Sequence, residues 1–281
     1  MSLGTKEIRE GNLDTRMEYQ KKDEFGEVCR DFDEMRAYLK ESVDQRLRDE
    51  KRRRSLITGI SHDLRTPLTS ISGYLDGLMD GIADTREKRS RYLQAIKTRT
   101  GNLVSLVDSL SEYSRLDNGF RYRMERADFK DFVDQYLGTY RSDAEQNHVE
   151  ITFLYGKETY PVQIDREEFK RVFDNLFANT VKYRTLEKSN IQISLKRTME
   201  GTDIELVFQD DGPGVPCESL EQIFDSFYRV DDARTQSEKG SGIGLAVVKE
   251  IILGHGGKVR AENREGLAMI IHLPITREDI T

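Results

Sequence analysis

Three short stretches of this sequence hold side chains whose types and spacing suit phosphoryl chemistry. In ITGISHDLRTPLTSISGYLDG, residues 57–77, the apolar spacing is helical, yet His62, Asp63, Thr66 and Pro67 fall within two turns. One reading is a kinked structural helix. The other makes the histidine reactive: a neutral imidazole offers a lone pair for attack, and an adjacent carboxylate can hold the N–H of the other ring nitrogen and steady the developing imidazolium. Pro67 lacks an N–H and leaves the Asp63 carbonyl without its helical partner, so a bend is expected just after the histidine.

The second and third stretches are glycine loops. DDGPG, residues 210–214, follows an apolar strand, and GSGIGL, residues 240–245, opens the helix LAVVKEIILG, whose first amides suit a phosphate. Taken singly, each reads equally as a flexible surface loop. GSGIG has the wrong spacing and context for a dinucleotide-binding fingerprint, and no GxxxxGK[ST] occurs. Upstream of both loops lies FDNLFANTVKY, residues 173–183, with Asn175 and Asn179 at i and i+4 on one helix face. Such a pair serves as surface polarity or, beside a polyphosphate pocket, as oxygen ligands for Mg²⁺.

These groups need elements to place them. Apolar residues at three- and four-residue steps predict a long helix over about 29–78, with Phe32, Met35, Leu39 and Val43 as a coiled-coil seam, and a second helix over 86–116. Asp80–Asp84 interrupts the pattern. The resulting αα-hairpin has too little core to stand alone, and two copies packed as a four-helix bundle predict a homodimer. Beyond Asn118-Gly119 the pattern becomes mixed: strands at 148–155, 190–195, 203–209 and 268–273, helices near 127–145, 166–184 and 243–253. The expected fold is α+β: a dimeric four-helix bundle made from two hairpins, then an α/β sandwich.

At 281 residues and a net charge of −7, the chain suits two compact units and disfavours nonspecific nucleic-acid binding. The run Lys51–Arg54 reads as a solvated helix face. Cys29 and Cys217 form no CxxC pair, which argues against a structural zinc site or a disulfide framework. No apolar window is long enough to span a membrane. His148, His255 and His272 read as incidental.

SHDLRTPLTSI, DNLFANTVKY, DDGPGVP, IFDSFYRVD and GSGIGLAVVKEI resemble, in order, the H, N, first glycine, F and second glycine boxes of sensor histidine kinases. The resemblance implies a phosphotransfer hairpin and a Bergerat-type (GHKL) ATP-binding domain, with ATP and Mg²⁺ as cofactors. It implies that His62 accepts the γ-phosphoryl group, Asp63 orients it or takes its proton, and Thr66 serves dephosphorylation of the partner. Asn179 is implied as the Mg²⁺ ligand, with Asn175, Lys182 and Tyr183 at the phosphate end and Asp210 on the adenine amino group. Gly212, Gly214, Gly240, Gly242 and Gly244, followed by Leu245, are expected to shape a lid, with Lys239 adding a phosphate contact. Phe224 and Phe227 are expected to help dock the catalytic domain on the hairpin, and Arg229 to reach the γ-phosphate. Thr180 and Asp211 depart from the usual alanine and asparagine.

Residues 8–40 resemble the second half of a HAMP linker, so the natural protein is expected to continue upstream to a membrane anchor, leaving this portion cytoplasmic. The domain scheme is then 1–45 truncated linker, 46–118 hairpin and 119–281 catalytic domain. The implied function is autophosphorylation of His62 and transfer to an aspartate on a response-regulator receiver domain, with phosphatase activity toward it. Alternatives are an ATP-driven clamp, against which Asn175 stands where such relatives carry a glutamate base, and a non-catalytic nucleotide-binding scaffold.

Overall fold

The computed structural model describes residues 12–14, 24–117, 119–185, 187–230 and 242–276. Two compact units divide it, residues 1–59 and 60–281. In the first, helix α1 (Glu24–Met79, which continues into the second) carries Arg36, buried and bonded to Asp33 at 2.7 Å and to the Leu13 carbonyl at 2.5 Å. Lys40 pairs with Asp14. These contacts tie the 12–14 segment to the helix. The residues expected to form a seam, Met35, Leu39 and Val43, are exposed in the single chain.

The second unit opens with the end of α1 and helix α2 (Arg86–Asp117). The turn between them is held by Ala83 N–H to Gly77 O at 3.1 Å and Arg89 Nε to Ala83 O at 3.0 Å. Thr85 Oγ1 accepts the Lys88 amide at 3.2 Å, as an N-cap hydroxyl does. Helical structure runs unbroken across Pro67, so the proline does not terminate the helix.

After the hairpin come β1 (Glu125–Asp128), α3 (Phe129–Gln146), β2 (Val149–Tyr155), β3 (Pro161–Ile164), α4 (Arg166–Tyr183), β4 (Ser189–Arg197) and β5 (Asp203–Asp210). Two short 3₁₀ turns, α5 (Gly244–Gly254), β6 (Lys258–Asn263) and β7 (Leu267–Pro274) complete the unit. The main sheet has the order β2-β4-β5-β7-β6, parallel at β2/β4 and antiparallel elsewhere, and β1 pairs with β3 in a separate ribbon. The strands β1, β3 and β6 are additions to the sequence expectation. The first two have four residues each, too short for alternation to register. His148, expected at the start of a strand, instead sits just before β2 with φ of 53°.

Alternation sends Ile191, Ile193, Leu195, Ile204, Leu206, Phe208, Met269, Ile271 and Leu273 to one face of the sheet, under α3, α4 and α5. Phe129, Phe132, Phe169, Phe173 and Phe177 fill the layer between as edge-on and tilted ring pairs. On the opposite face, Val207, Ala268 and Ile270 form a small buried patch. The same face of the sheet carries the pairs Lys196–Glu205 at 2.9 Å and Glu205–His272 at 3.1 Å. The layered α/β architecture matches the expectation.

Candidate functional site

On α1, His62 projects into solvent with its side chain 79% exposed, while Asp63 is 22% exposed. Asp63 Oδ1 lies 3.2 Å from His62 Nδ1, which fixes Nδ1 as the bonded nitrogen and leaves Nε2 facing outward. Thr66 Oγ1 donates to the His62 carbonyl at 3.3 Å, so its hydroxyl sits one turn from the imidazole. All three residues are brought together as their spacing requires.

A second constellation lies in the α/β portion. Burial raises the carboxyl pKa of Asp210, at the end of β5, above the usual carboxylate range. The amides of Gly212 and Leu267 donate to Oδ1 at 2.9 and 3.0 Å. Among the described residues, both of these bonds fall on Oδ1 and none on Oδ2. Beside it, Asp211 Oδ2 accepts both the backbone and side-chain N–H of Asn190 at 2.8 and 2.9 Å. Thr180 is buried with its hydroxyl on the Leu176 carbonyl at 3.2 Å, the helical back-bond open to Ser and Thr.

Asp165 caps α4 by accepting the Glu167 and Glu168 amides at 3.2 and 3.3 Å, and its other oxygen accepts Arg123 N–H at 2.8 Å. That cap aims α4 so that Asn175 and Asn179 fall in its second half. Asn175 donates to the Arg171 carbonyl at 2.8 Å, and a Cβ on Gly244 would lie 2.7 Å from Asn175 Oδ1. Asn175 is therefore packed against the first residue of α5, while Asn179 is half-buried. Lys182 lies over the Tyr183 ring at 4.5 Å at the end of the same helix. The N-cap of α5, Ile243, supplies no side-chain acceptor, so no side chain caps the helix that Gly244 and Leu245 open.

Phe224 is buried in the main core, with Lys249 Nζ 5.9 Å from its ring centre, and Phe227 packs against the same core. Phe227 has φ of 65° and donates its N–H to Gly242 O at 2.9 Å. Gly242 has φ of 67°, and a Cβ there would meet Phe227 Cα at 2.9 Å. The phenylalanine turn and the second glycine loop are thus one packed unit. Arg229 is half-buried beside it. Lys239 and Gly240 lie outside the described residues.

The hairpin and the α/β layer meet through charge. Arg115 Nη2 on α2 straddles both oxygens of Glu168 on α4 at 2.9 and 2.8 Å, and Arg171 Nη1 bonds Glu112 at 2.7 Å and lies 3.7 Å from Glu168. Sequence reasoning missed this network, because charged residues fifty positions apart carry no local signal. It also missed Asn263 and Gly266, whose turn between β6 and β7 holds the Asp210 loop. The Asn-x-x-Gly directly before the apolar run Leu267–Ile271 was the available hint. No cluster of three or more His, Cys, Asp or Glu suited to a metal occurs among the described residues.

The chain matches three family descriptions: HAMP domain at residues 1–41, His Kinase A (phospho-acceptor) domain at 52–119, and histidine kinase-, DNA gyrase B- and HSP90-like ATPase at 164–277. It is 32% identical over 234 residues to sensor protein kinase WalK of Staphylococcus aureus, covering 82% of this chain and 55% of that protein. A Staphylococcus epidermidis WalK is equally identical, with 38% of its length covered. The chain thus spans about half the length, or less, of these relatives. Among solved structures, Acinetobacter baumannii histidine kinase AdeS matches with a TM-score of 0.59 and 25% identity, over 77% of this chain and 98% of that one. Histidine kinase ThkA in complex with response regulator protein TrrA shares the fold at a TM-score of 0.62 and 24% identity, over 84% of this chain and 67% of that one. With His62 and Asp210 each lying inside a matched module, and the modules in the same order as the sequence boxes, this chain belongs to the sensor histidine kinase family.

Proposed function

We propose that the chain is the transmitter portion of a protein-histidine kinase that autophosphorylates His62 and passes the phosphoryl group to an aspartate of a response-regulator receiver domain. One observation carries the reading: His62 is solvent-exposed with Nδ1 held by Asp63, so Nε2 is the nucleophile. Its lone pair attacks the γ-phosphorus of ATP, the bond to the β-γ bridging oxygen breaks, and ADP leaves. Asp63 stabilises the imidazolium and takes the Nδ1 proton.

Asp210 Oδ2 accepts from the adenine 6-amino group. The amides opening α5 and the 212–214 loop face the phosphates, with Lys182, Tyr183, Arg229, Lys239 and Gly240 completing that end. Asn179 holds the Mg²⁺, which supplies charge neutralisation on the phosphates when bound. Phe224 and Phe227 help dock the catalytic domain on the hairpin, and Phe227 also holds Gly242 of the second glycine loop. Thr66, one turn from His62, orients the water that dephosphorylates the regulator. The exposed apolar residues Ile57, Leu68, Leu75, Leu93 and Val104 on the hairpin support a homodimer closed as a four-helix bundle. The HAMP match supports a membrane-anchored parent protein; no described helix is itself long and apolar enough to cross a membrane. The domains are residues 1–45, 46–118 and 119–281.

Incubation with Mg²⁺ and γ-labelled ATP tests this. Base-stable, acid-labile label is expected on the wild type and absent from His62→Gln. Free phosphate released with no label on the protein would instead point to the ATP-driven clamp.

A further inference from the structure

We infer that Asn263 is a positioning residue for base selectivity: its carboxamide locks the turn carrying Asp210 to the turn between β6 and β7. The inference rests on the reading of Asp210 as the adenine contact and concerns how that carboxylate is aimed.

Two turns meet at the end of the sheet. From β5, the chain runs Asp210-Asp211-Gly212-Pro213-Gly214-Val215; from the hairpin, Asn263-Arg264-Glu265-Gly266-Leu267. Asn263 Oδ1 accepts the Val215 N–H at 3.0 Å, and Asn263 Nδ2 donates to the Val215 carbonyl at 2.5 Å. One side chain therefore satisfies both backbone groups of Val215. Gly214 accommodates this approach: its φ is 67°, and a Cβ would fall 2.6 Å from Asn263 Oδ1.

Three residues from Val215 on one side and four from Asn263 on the other, the same turns converge on the carboxylate. Gly212 N–H and Leu267 N–H both donate to Asp210 Oδ1. Gly266 lies so close beneath that a Cβ would sit 2.1 Å from the Asp210 carbonyl oxygen. One amide from each turn thus fixes the carboxylate rotation, and that rotation holds only while the turns keep their separation. Asn263 is the side chain that spans them. The clamp and the carboxylate form one closed set: Asn263 to Val215, Gly212 to Asp210, and Asp210 back to Leu267.

The chemical consequence is selective. A carboxylate oxygen accepts from the 6-amino group of adenine but repels the 6-oxygen of hypoxanthine, so discrimination depends on where Oδ2 points. Loosening the clamp lets Asp210 turn away. Adenine then loses an acceptor while hypoxanthine is relieved of a repulsion, and the two affinities approach each other. A variant that merely unfolded part of the population would lower both by the same factor.

Titration calorimetry with ADP and IDP in Mg²⁺, on wild type, Asp210→Asn and Asn263→Ala, tests this. The wild type is expected to prefer ADP, and Asp210→Asn to lose that preference. Asn263→Ala is expected to weaken ADP about tenfold while IDP changes less than about twofold. Isosteric Asn263→Asp retains the acceptor for Val215 N–H but sets an oxygen against the Val215 carbonyl. It is expected to behave alike and serves if the alanine variant misfolds. Unchanged ADP:IDP ratios in both Asn263 variants, beside a selective wild type and an unselective Asp210→Asn, overturn the inference alone. A wild type that binds neither nucleotide, or does not distinguish them, overturns the adenine reading beneath it.

Discussion

Removing the Arg115 guanidinium isolates the contact that fastens the helical hairpin to the nucleotide-binding layer. Glu168 is only 6% exposed and takes both of its close hydrogen bonds from Arg115, itself 34% exposed. Arg115→Met keeps the aliphatic stem against Phe120, whose ring the guanidinium covers at 4.0 Å, and deletes only the charge. Hydrogen bonds to charged groups are worth about 1.5–3 kcal/mol, and stranding one member of a buried pair costs about 3–5 kcal/mol. Solvent reaches Arg115, and Arg171 remains 3.7 Å from Glu168, so the lower range applies. A loss of about 2 kcal/mol is expected.

Urea unfolding followed by far-UV circular dichroism and tyrosine fluorescence reads this as a shift in midpoint at constant slope. The double variant Arg115→Met/Glu168→Met removes both charges together and is expected to be about as stable as either single variant, giving a coupling near ~2 kcal/mol. In about 1 M NaCl, where the screening length falls to ~3 Å, the wild type is expected to lose part of this advantage and the double variant none. Single losses below about 0.5 kcal/mol, or losses that simply add in the double variant, would refute the reasoning.

Burial raises the Asp210 pKa, so the folded state holds its proton more tightly than the unfolded state; the resulting penalty is fully present above the folded pKa. Asp210→Asn is therefore expected to melt higher at neutral pH while binding ADP at least tenfold more weakly, and wild-type ADP affinity is expected to fall as acid titrates the carboxyl; calorimetry and thermal melts check both. His255 accepts Asp165 N–H on Nε2 at 2.9 Å and bonds the Ile251 carbonyl through Nδ1 at 2.6 Å, and burial holds its pKa below 6.5. The unfolded chain thus takes up the proton first, and stability is expected to decline as pH falls below about 6.5. Urea midpoints in His255→Asn should show a shallower decline, and identical slopes would exclude His255 as the source. Pro67→Ala restores an amide to the Asp63 carbonyl and is expected to stabilise the chain by about 1–2 kcal/mol, the helix gain of about 3 kcal/mol being offset by a freer unfolded chain; a lower urea midpoint would contradict this.

What could be read along the chain was whatever repeats locally or depends on neighbours in sequence. The helices carrying His62 and Asn179 announce themselves by apolar steps of three and four, and β5 and β7 by apolar runs bounded by turn residues. Asp63 beside His62, and Thr66 one turn on, follow from helix geometry alone, so their contacts were implicit in SHDLRT. The five ordered boxes extended that local chemistry to a family.

Tertiary structure decided everything that joins distant segments. Only the folded sheet brings Asn263 against Val215 and Leu267 against Asp210, because β5 and β6 flank β7 and their ends converge there. Only packing buries Glu168 under Arg115, and only packing gives His255 a backbone partner ninety residues away. A carboxylate, an amide or an imidazole has the same local sequence signature whether solvated or buried. Its environment, and hence its pKa and its role, is set by which long-range neighbours exclude water from it.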